Sequence, residues 1–279
     1  MHDESGGAEM EVIRPDNRAG FLSLGELLAY RDLFRFLIWR GIKVRYAQSA
    51  LGIGWAVLEP AAQVLVYTIV FGMLVGVQSD GEPYFLFVFA AIVPWTFFSN
   101  ALTQATTSLS QNANLIAKVY FPRIILPFSG VGTRLVDFVI AFVLLIVLLL
   151  AYGIVPGWGL LVLPLLIGIM TFAALGLGLW LSALAIQYRD VNHGTGFAVQ
   201  LLKYAAPVVY PATLVPAAWQ PVYALNPMVG VVEGFRAALL GSRPMPWDMI
   251  GIGGVVAVLM FIGGAYYFSR REHLFADVG

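Results

Sequence analysis

The stretch RDLFRFLIWRGIKVRYAQSALG, residues 31–52, is followed almost at once by WAVLEPAAQVLVYTIVFGMLVGV, residues 55–77. The first stretch places five cations among large apolar side chains, whereas the second carries one charge, Glu59. A membrane-crossing helix needs about 20 predominantly apolar residues, and the second stretch meets that requirement. The first predicts an amphipathic helix in the membrane interface, because long cationic side chains reach lipid headgroups while aromatic rings lie at the interface.

The composition of the whole chain agrees with a membrane protein. Its 279 residues are 59% hydrophobic and 11% charged, whereas a soluble domain carries about 25% charged residues. We therefore predict an all-α integral membrane protein. Six transmembrane helices are predicted at about 55–77, 84–104, 128–151, 160–185, 194–215 and 248–268. The fifth is the weakest, because Lys203, Pro207 and Pro211 interrupt it.

Charge and proline placement predict how the remaining segments are arranged. Residues 1–22 are predicted to be a cytoplasmic tail, 23–50 the interface helix and 51–279 the six-span domain. Region 211–247 is too apolar for an ordinary loop and too broken by Pro216, Pro221 and Pro227 for another span, so we predict two short re-entrant helices there. With both termini in the cytoplasm, twelve Lys and Arg residues lie in cytoplasmic segments and two in outer segments, as the positive-inside rule requires.

The sequence carries no motif for nucleotide hydrolysis or for catalysis. A P-loop needs a lysine followed by serine or threonine, but Lys43, Lys118 and Lys203 are followed by valine, valine and tyrosine. Cysteine is absent, and the three histidines form no metal-ligand pattern. We predict no catalytic residue, no metal site and no cofactor in this chain. Arg134 and Asp137 lie three residues apart and are predicted to pair on one helix face.

Five motifs follow one another along the chain. They are RYAQSALGIGWAVLEP, FAAIVPWTFFSNALTQATTSLSQNANLIAKVYFPRIILP, QYRDV, LNPMVGVVEGFRAALLG and the terminal REHLFADVG. Together they resemble the membrane subunit of type-2 ABC exporters for polysaccharides, the branch that exports O-antigen, capsule or teichoic acid. The resemblance extends from about residue 25 to residue 279.

This resemblance implies a permease subunit that acts as a homodimer in the cytoplasmic (inner) membrane, with both termini in the cytoplasm. It implies two copies of a separate P-loop ATPase subunit, which would hold ATP and magnesium. The implied substrate is a lipid-linked polysaccharide, carried on undecaprenyl diphosphate for O-antigen-like glycans. Membrane lipid is an expected partner, and nucleic acid is not.

A coupling segment to the ATPase is predicted at about 105–123. Its centre reads as a short helix that ends before Pro122 and carries apolar side chains that a free loop does not need. Such a helix fits a groove on a partner protein. The coupling candidates are Asn114, Leu115, Ile116, Lys118, Tyr120 and Phe121.

Two further groups of residues are candidate substrate contacts. Docking of a lipid diphosphate is predicted at Trp39, Arg40, Lys43 and Arg45; the alternative is that these cations only fix the topology. The aromatic residues Tyr67, Phe71, Trp95, Phe97 and Phe98 are candidates for the substrate path, because aromatic rings stack on the apolar faces of sugars. The alternative is that they face lipid or the membrane interface.

Two other functions compete with polysaccharide export. A type-2 ABC exporter of drugs or lipids would share the architecture, and the polar, aromatic WTFFSN turn favours a glycan over such substrates. A membrane-bound glycosyl or acyl transferase would need a cluster of catalytic carboxylates or histidines, and the sequence shows none.

Overall fold

The computed structural model describes residues 25, 29–47, 49–79 and 81–272, and this part of the chain is helical, without a strand. The predicted all-α class is therefore confirmed. The predicted tail, residues 1–22, lies outside the described residues. From residue 31 onward the helices are α1 (Arg31–Tyr46), α2 (Trp55–Tyr67), α3 (Tyr84–Gln111), α4 (Ala113–Ile116), α5 (Ile125–Ala151), α6 (Leu163–Gln187), α7 (Asp190–Tyr204), α8 (Gln220–Tyr223), α9 (Pro227–Leu240) and α10 (Trp247–Arg271).

Within the described ranges, five helical segments are long and apolar enough to cross a membrane. They run over Gly52–Leu74, Tyr84–Gln111, Ile125–Ala151, Trp158–Gln187 and Trp247–Arg271. These segments contain α2, α3, α5, α6 and α10, and they overlap the first four predicted spans and the sixth. The chain is thus a multi-pass membrane protein. Its first span changes character near the middle, where α2 passes into a π-helix over Thr68–Leu74.

The fifth predicted span, 194–215, differs from a simple membrane helix. Helix α7 has 15 residues, which corresponds to a length of about 22 Å, and no continuous helix follows it before α8. Pro207 and Pro211 explain the break, because proline has no N–H group to donate and clashes with the preceding turn of a helix. The count of six spans therefore stays a prediction.

Region 211–247 contains two short α-helices, α8 and α9. Their number is the one that the sequence predicted. Helix α9 begins at Pro227, where the Asn226 side chain accepts a hydrogen bond from Met228 N at 3.1 Å. It ends at Leu240, and the next residue, Gly241, has a φ of 69°, in the left-handed region that favours glycine. Nearly every residue of α9 is buried, by α3, α6 and α10. The depth of α8 and α9 in the membrane stays a prediction.

Helix α3 is the centre of the fold. It packs against α2, α5, α6, α7 and α9, and nearly every residue from Leu86 to Phe98 is buried. Helix α2, its π-helical continuation and helix α7 lie at the periphery and expose apolar side chains such as Leu65, Ile69 and Phe197. The fold therefore surrounds one deeply buried span with helices that keep one face open to lipid or to another protein.

Helices α6 and α10 approach each other most closely at two glycines. A Cβ atom on Gly264 would lie 2.2 Å from the Gly176 carbonyl oxygen. A Cβ atom on Gly176 would lie 2.5 Å from the carbonyl carbon of Met260. Small residues at such crossings let membrane helices come into direct backbone contact, so this pair fixes the position of the last span.

Candidate functional site

Helix α1 is held against α5 by its apolar side. Leu37 is buried, and Ile38 and Phe34 lie over Gly132 of α5, where a Cβ atom would be 2.7 Å from Ile38 Cδ1. The opposite side of α1 exposes charged residues and Trp39. The helix therefore has two faces of the kind predicted for the interface helix, 23–50, while its position in the membrane interface stays a prediction.

The four predicted docking residues do not form one cluster. Arg40 Nη1 donates to Asn112 Oδ1 at 3.4 Å, and Lys43 Nζ lies 4.8 Å from the centre of the Trp39 ring. Arg45 instead points towards α5 and α2, where its Nε is 3.3 Å from Asp137 Oδ2. Arg45 is therefore already paired, while Arg40, Lys43 and Trp39 remain at the surface of α1.

Asp137 and Glu59 are the carboxylates that receive Arg45. Arg45 Nη2 lies 4.0 Å from Glu59 Oε2, and the Tyr46 hydroxyl donates a short hydrogen bond to Asp137 Oδ1. Burial, together with this hydrogen bond to Asp137, raises the pKa of Tyr46 to about 12. Tyr46 therefore stays protonated at neutral pH and remains a donor to Asp137.

A polar cavity of about 370 Å³ lies between α1, α3 and α5. Three arginines line it, Arg40, Arg45 and Arg134. The polar residues in its wall are Gln104, Ser108, Gln111, Asn112, Ser129 and Thr133. Asp137 and Glu59 pair with Arg45, and Asp137 also pairs with Arg134. No carboxylate of a described residue lies within 4.0 Å of Arg40, so an anion is favoured at the Arg40 end of the cavity.

Sequence reasoning missed the part that Arg134 plays in this cavity. The predicted pair with Asp137 is confirmed, with Arg134 Nη1 3.4 Å from Asp137 Oδ2. Arg134 Nη2 also donates to Gln104 Oε1 at 2.8 Å, and the buried Nε has no hydrogen-bond partner. The run of polar residues on the last three turns of α3 was the available signal, since polar side chains on a membrane helix need partners inside the protein.

The aromatic candidates for the substrate path fall into two groups. Trp95, Phe97 and Phe98 are at most 4% exposed and belong to the protein core. They pack within the protein in this structure, and a role of these three in the substrate path stays a prediction. Tyr67 and Phe71 are half-buried on the peripheral helix α2 and its π-helical continuation, and their rings meet edge to face with centres 5.8 Å apart. A role of these two in the path stays a prediction.

The coupling candidates also separate into anchors and exposed residues. Phe121 is buried, and Leu115 and Ile116 are partly buried and pack in the same apolar cluster. Asn114, Lys118 and Tyr120 are exposed, with Tyr120 at 81%. The segment is thus fixed to the protein by its apolar residues and presents the other three outward.

A buried ion pair organises the chain beyond α7. Arg236 Nη1 lies 2.9 Å from Glu233 Oε1. Arg236 also donates to the carbonyl oxygens of Val208 at 2.9 Å, Phe87 at 3.2 Å and Tyr210 at 3.3 Å. Irregular backbone inside a protein needs such partners for its carbonyl groups. Glu233 and Arg236 therefore serve to hold this segment in place.

Comparison with known proteins is consistent with this architecture. The family model described as ABC-2 type transporter matches residues 32–240. The chain is 33% identical to the O-antigen export system permease protein RfbA of Myxococcus xanthus, over 88% of this chain and 95% of that protein. It is 25% identical to the protein of the same name from Klebsiella pneumoniae, over the same shares of each chain. It is 23% identical to the polysialic acid transport protein KpsM of Escherichia coli, over 85% of this chain and 92% of that protein. The chain therefore belongs to the ABC-2 type transporter family.

Proposed function

We propose that this chain is the membrane subunit of an ATP-driven exporter that moves a polysaccharide across the cytoplasmic membrane. The observation that carries this proposal is the match with an O-antigen export permease along 95% of that protein's length. A match of that extent covers nearly all of that permease and is not limited to a shared fragment. The relative named for polysialic acid transport supports a glycan as the cargo.

The substrate of this proposal is a glycan linked to undecaprenyl diphosphate, and both termini of the chain lie in the cytoplasm. The excess of cations in the predicted cytoplasmic segments supports this orientation. It places α1 and the cavity beside it at the cytoplasmic leaflet, where a lipid-linked substrate arrives. Arg40 and Lys43 then meet the diphosphate, with Trp39 beside them. Arg45 organises the cavity through Asp137 and does not contact the substrate.

Energy comes from a separate P-loop ATPase, which holds the ATP and the magnesium. Two ATPase copies serve a homodimer of this chain. The exposed residues of the coupling segment, Asn114, Lys118 and Tyr120, support a contact with the ATPase, because an exposed tyrosine beside a cation suits a protein interface.

Deletion of the chain in its own cell tests the export function. The deletion strain should lose its surface polysaccharide and accumulate the lipid-linked glycan inside, and the wild-type chain should restore export. Surface polysaccharide that is unchanged in the deletion strain would contradict the proposal.

Substitution of Arg40 tests the loading step within the same strain. Arg40→Gln, with a lysine added near residue 20 to preserve the topology, should insert normally and export less glycan. Arg31→Gln with the same added lysine is the matched control, since Arg31 is the first residue of α1 and does not line the cavity. Equal export by the two variants would leave Arg40 as a topology anchor only.

A further inference from the structure

Lys203 joins the two peripheral helices of the protein. It lies in the last turn of α7, and its Nζ donates to Gln63 Oε1 at 2.7 Å and to Tyr67 Oη at 3.0 Å. Both acceptors belong to α2, where they are four residues apart and therefore share one helix face. The ammonium group also lies 5.2 Å from the centre of the Tyr67 ring.

The first membrane-spanning segment carries both acceptors of this ammonium group near its middle. Gln63 and Tyr67 come eight and twelve residues after Trp55, which corresponds to about 12 and 18 Å along α2. Lys203 comes thirteen residues after Asp190, or about 20 Å along α7. The hydrocarbon core of a bilayer is about 30 Å thick, so α2 puts the two acceptors, and the charge bound to them, near its middle.

Lys203 makes no ion pair among the described residues, and Glu59, four residues before Gln63, attracts its charge only over a longer distance. Among the described residues, no carboxylate lies within 4.0 Å of its Nζ, whereas Arg134 and Arg236 each face one. Gln63 and Tyr67 are neutral acceptors, and they engage two of the three N–H donors that an ammonium group has. A cation at this depth is costly and is retained in proteins where it serves transport or binding.

The surroundings of Lys203 suit the anionic end of a lipid-linked glycan. Tyr67 supplies a hydroxyl beside the ammonium group, and Phe71 continues the aromatic surface along the same span. Tyr204, next to Lys203 in the chain, is exposed, and its carbonyl oxygen accepts from the Tyr210 hydroxyl at 2.9 Å. Ammonium and phenol groups donate to phosphate oxygens, and the aromatic rings accept sugars.

We propose that Lys203, with Gln63 and Tyr67, is an intramembrane binding site for a phosphoryl anion, which the diphosphate of the exported lipid occupies on its way across the membrane. This inference rests on the proposed function. In the sequence of steps, the substrate first meets Arg40 and Lys43 at the cytoplasmic leaflet. Lys203 then compensates the negative charge where no water is available to do so.

The test uses the full chain with its ATPase subunit in phosphatidylcholine vesicles, and undecaprenyl diphosphate as the probe. Undecaprenol, which lacks the charge, is the uncharged comparison. The readout is the probe concentration that gives half-maximal stimulation of ATP hydrolysis. Lys203→Gln, which keeps a hydrogen-bond donor but loses the charge, should raise this concentration about tenfold or more. Lys203→Arg should restore most of the response, and Arg189→Gln, which removes an exposed cation before α7, should behave as wild type.

A chemical rescue separates loss of charge from loss of folding. The chain has no cysteine, so Lys203→Cys introduces one thiol. Aminoethyl methanethiosulfonate places an ammonium group on that thiol and should restore the response, whereas methyl methanethiosulfonate, which adds no charge, should not. The treated wild-type complex controls for thiols in the ATPase.

The possible outcomes distinguish this inference from the proposed function. A wild-type complex that does not respond to undecaprenyl diphosphate contradicts the proposed function. A wild-type response that persists unchanged in Lys203→Gln and in unmodified Lys203→Cys overturns the inference alone. In a third outcome, phosphatidylglycerol added to the vesicles abolishes the response of the wild-type complex but not that of the Lys203 variants. That result would identify membrane phospholipid as the occupant of the site, instead of the exported lipid, and would also overturn the inference.

Discussion

Arg123 and Glu272 form two hydrogen bonds, each of which joins the backbone of one residue to the side chain of the other. The Arg123 backbone N–H donates to Glu272 Oε1 at 2.9 Å, and Arg123 Nη1 donates to the Glu272 carbonyl oxygen at 2.5 Å. Glu272 follows the last residue of α10, where a cation also complements the negative end of the helix dipole. This contact joins the predicted coupling segment to the end of the last span.

Loss of this contact should weaken coupling without abolishing ATP hydrolysis. Glu272→Ala removes the acceptor for the Arg123 N–H, a hydrogen bond worth about 1 kcal/mol, and should lower the amount of glycan exported per ATP hydrolysed. Glu272→Gln keeps an acceptor oxygen and is the matched control. Export per ATP that is equal in Glu272→Ala and wild type would show that the contact carries no coupling.

Tyr120 should contribute to binding of the ATPase but not to folding of this chain. Its side chain is 81% exposed, so Tyr120→Glu leaves the fold intact but buries an unpaired charge when a partner covers it, at a cost of several kcal/mol. We expect the ATPase to be lost from the purified complex, while Tyr120→Phe retains it. Co-purification of the ATPase with Tyr120→Glu at wild-type yield would place the interface elsewhere.

Leu115 and Phe121 should behave differently from Tyr120, because they pack against the protein itself. Phe121→Ala removes a buried aromatic ring, which costs about 3–5 kcal/mol in a protein core. The thermal stability of the purified chain should fall in the absence of any ATPase. A Phe121→Ala chain with wild-type stability would mean that the coupling segment is not anchored as described.

The crossing of α6 and α10 should be sensitive to a single methyl group. Gly264→Ala places a Cβ atom 2.2 Å from the Gly176 carbonyl oxygen, and overpacking of this kind costs about 1–3 kcal/mol. We expect a lower midpoint of thermal unfolding in detergent. Gly251 lies on the same helix, and a Cβ atom there would have no atom within 4 Å. Gly251→Ala should therefore leave the thermal stability unchanged. Equal stability of the two variants would argue against the close crossing.

Single cysteines should reveal on which side of the membrane region 211–247 lies. Trp219 and Ser242 are exposed, whereas Val231 is buried. Cysteines at Trp219 and Ser242 should react with an impermeant reagent added outside intact cells, and a cysteine at Val231 should not. Reaction of Ser242→Cys only from the cytoplasm would exclude a re-entrant arrangement and place the last span in the opposite direction.

The sequence predicted those features that depend on neighbouring residues. The charged stretch before Trp55 predicted α1 and the first span, and the prolines at 216, 221 and 227 predicted that region 211–247 contains only short helices. The i, i+3 spacing predicted the pair of Arg134 and Asp137. Each of these predictions depends on a property of residues that are close in sequence. The properties are hydropathy, the missing N–H group of proline and the helical repeat.

Features that depend on how helices pack were not predictable in the same way. Hydropathy cannot distinguish an apolar side chain that faces lipid from one that faces protein, since both environments are apolar. Trp95 and Phe98 therefore suited a substrate path in sequence, yet lie in the core. The contact of Arg134 with Gln104 and that of Lys203 with Gln63 join different helices, and no repeat in the sequence indicates them.

The most direct test of the account is transport in vesicles that contain only this chain, its ATPase subunit and an undecaprenyl diphosphate-linked glycan. Glycan that becomes accessible to a glycosidase on the opposite side, only when ATP and magnesium are present and only with both subunits, is the result that the account predicts. The chain without the ATPase should show no ATP hydrolysis, because none of its three lysines is followed by serine or threonine. ATP hydrolysis by the chain alone, or an assembled complex that hydrolyses ATP and leaves the glycan where it was, would contradict the account.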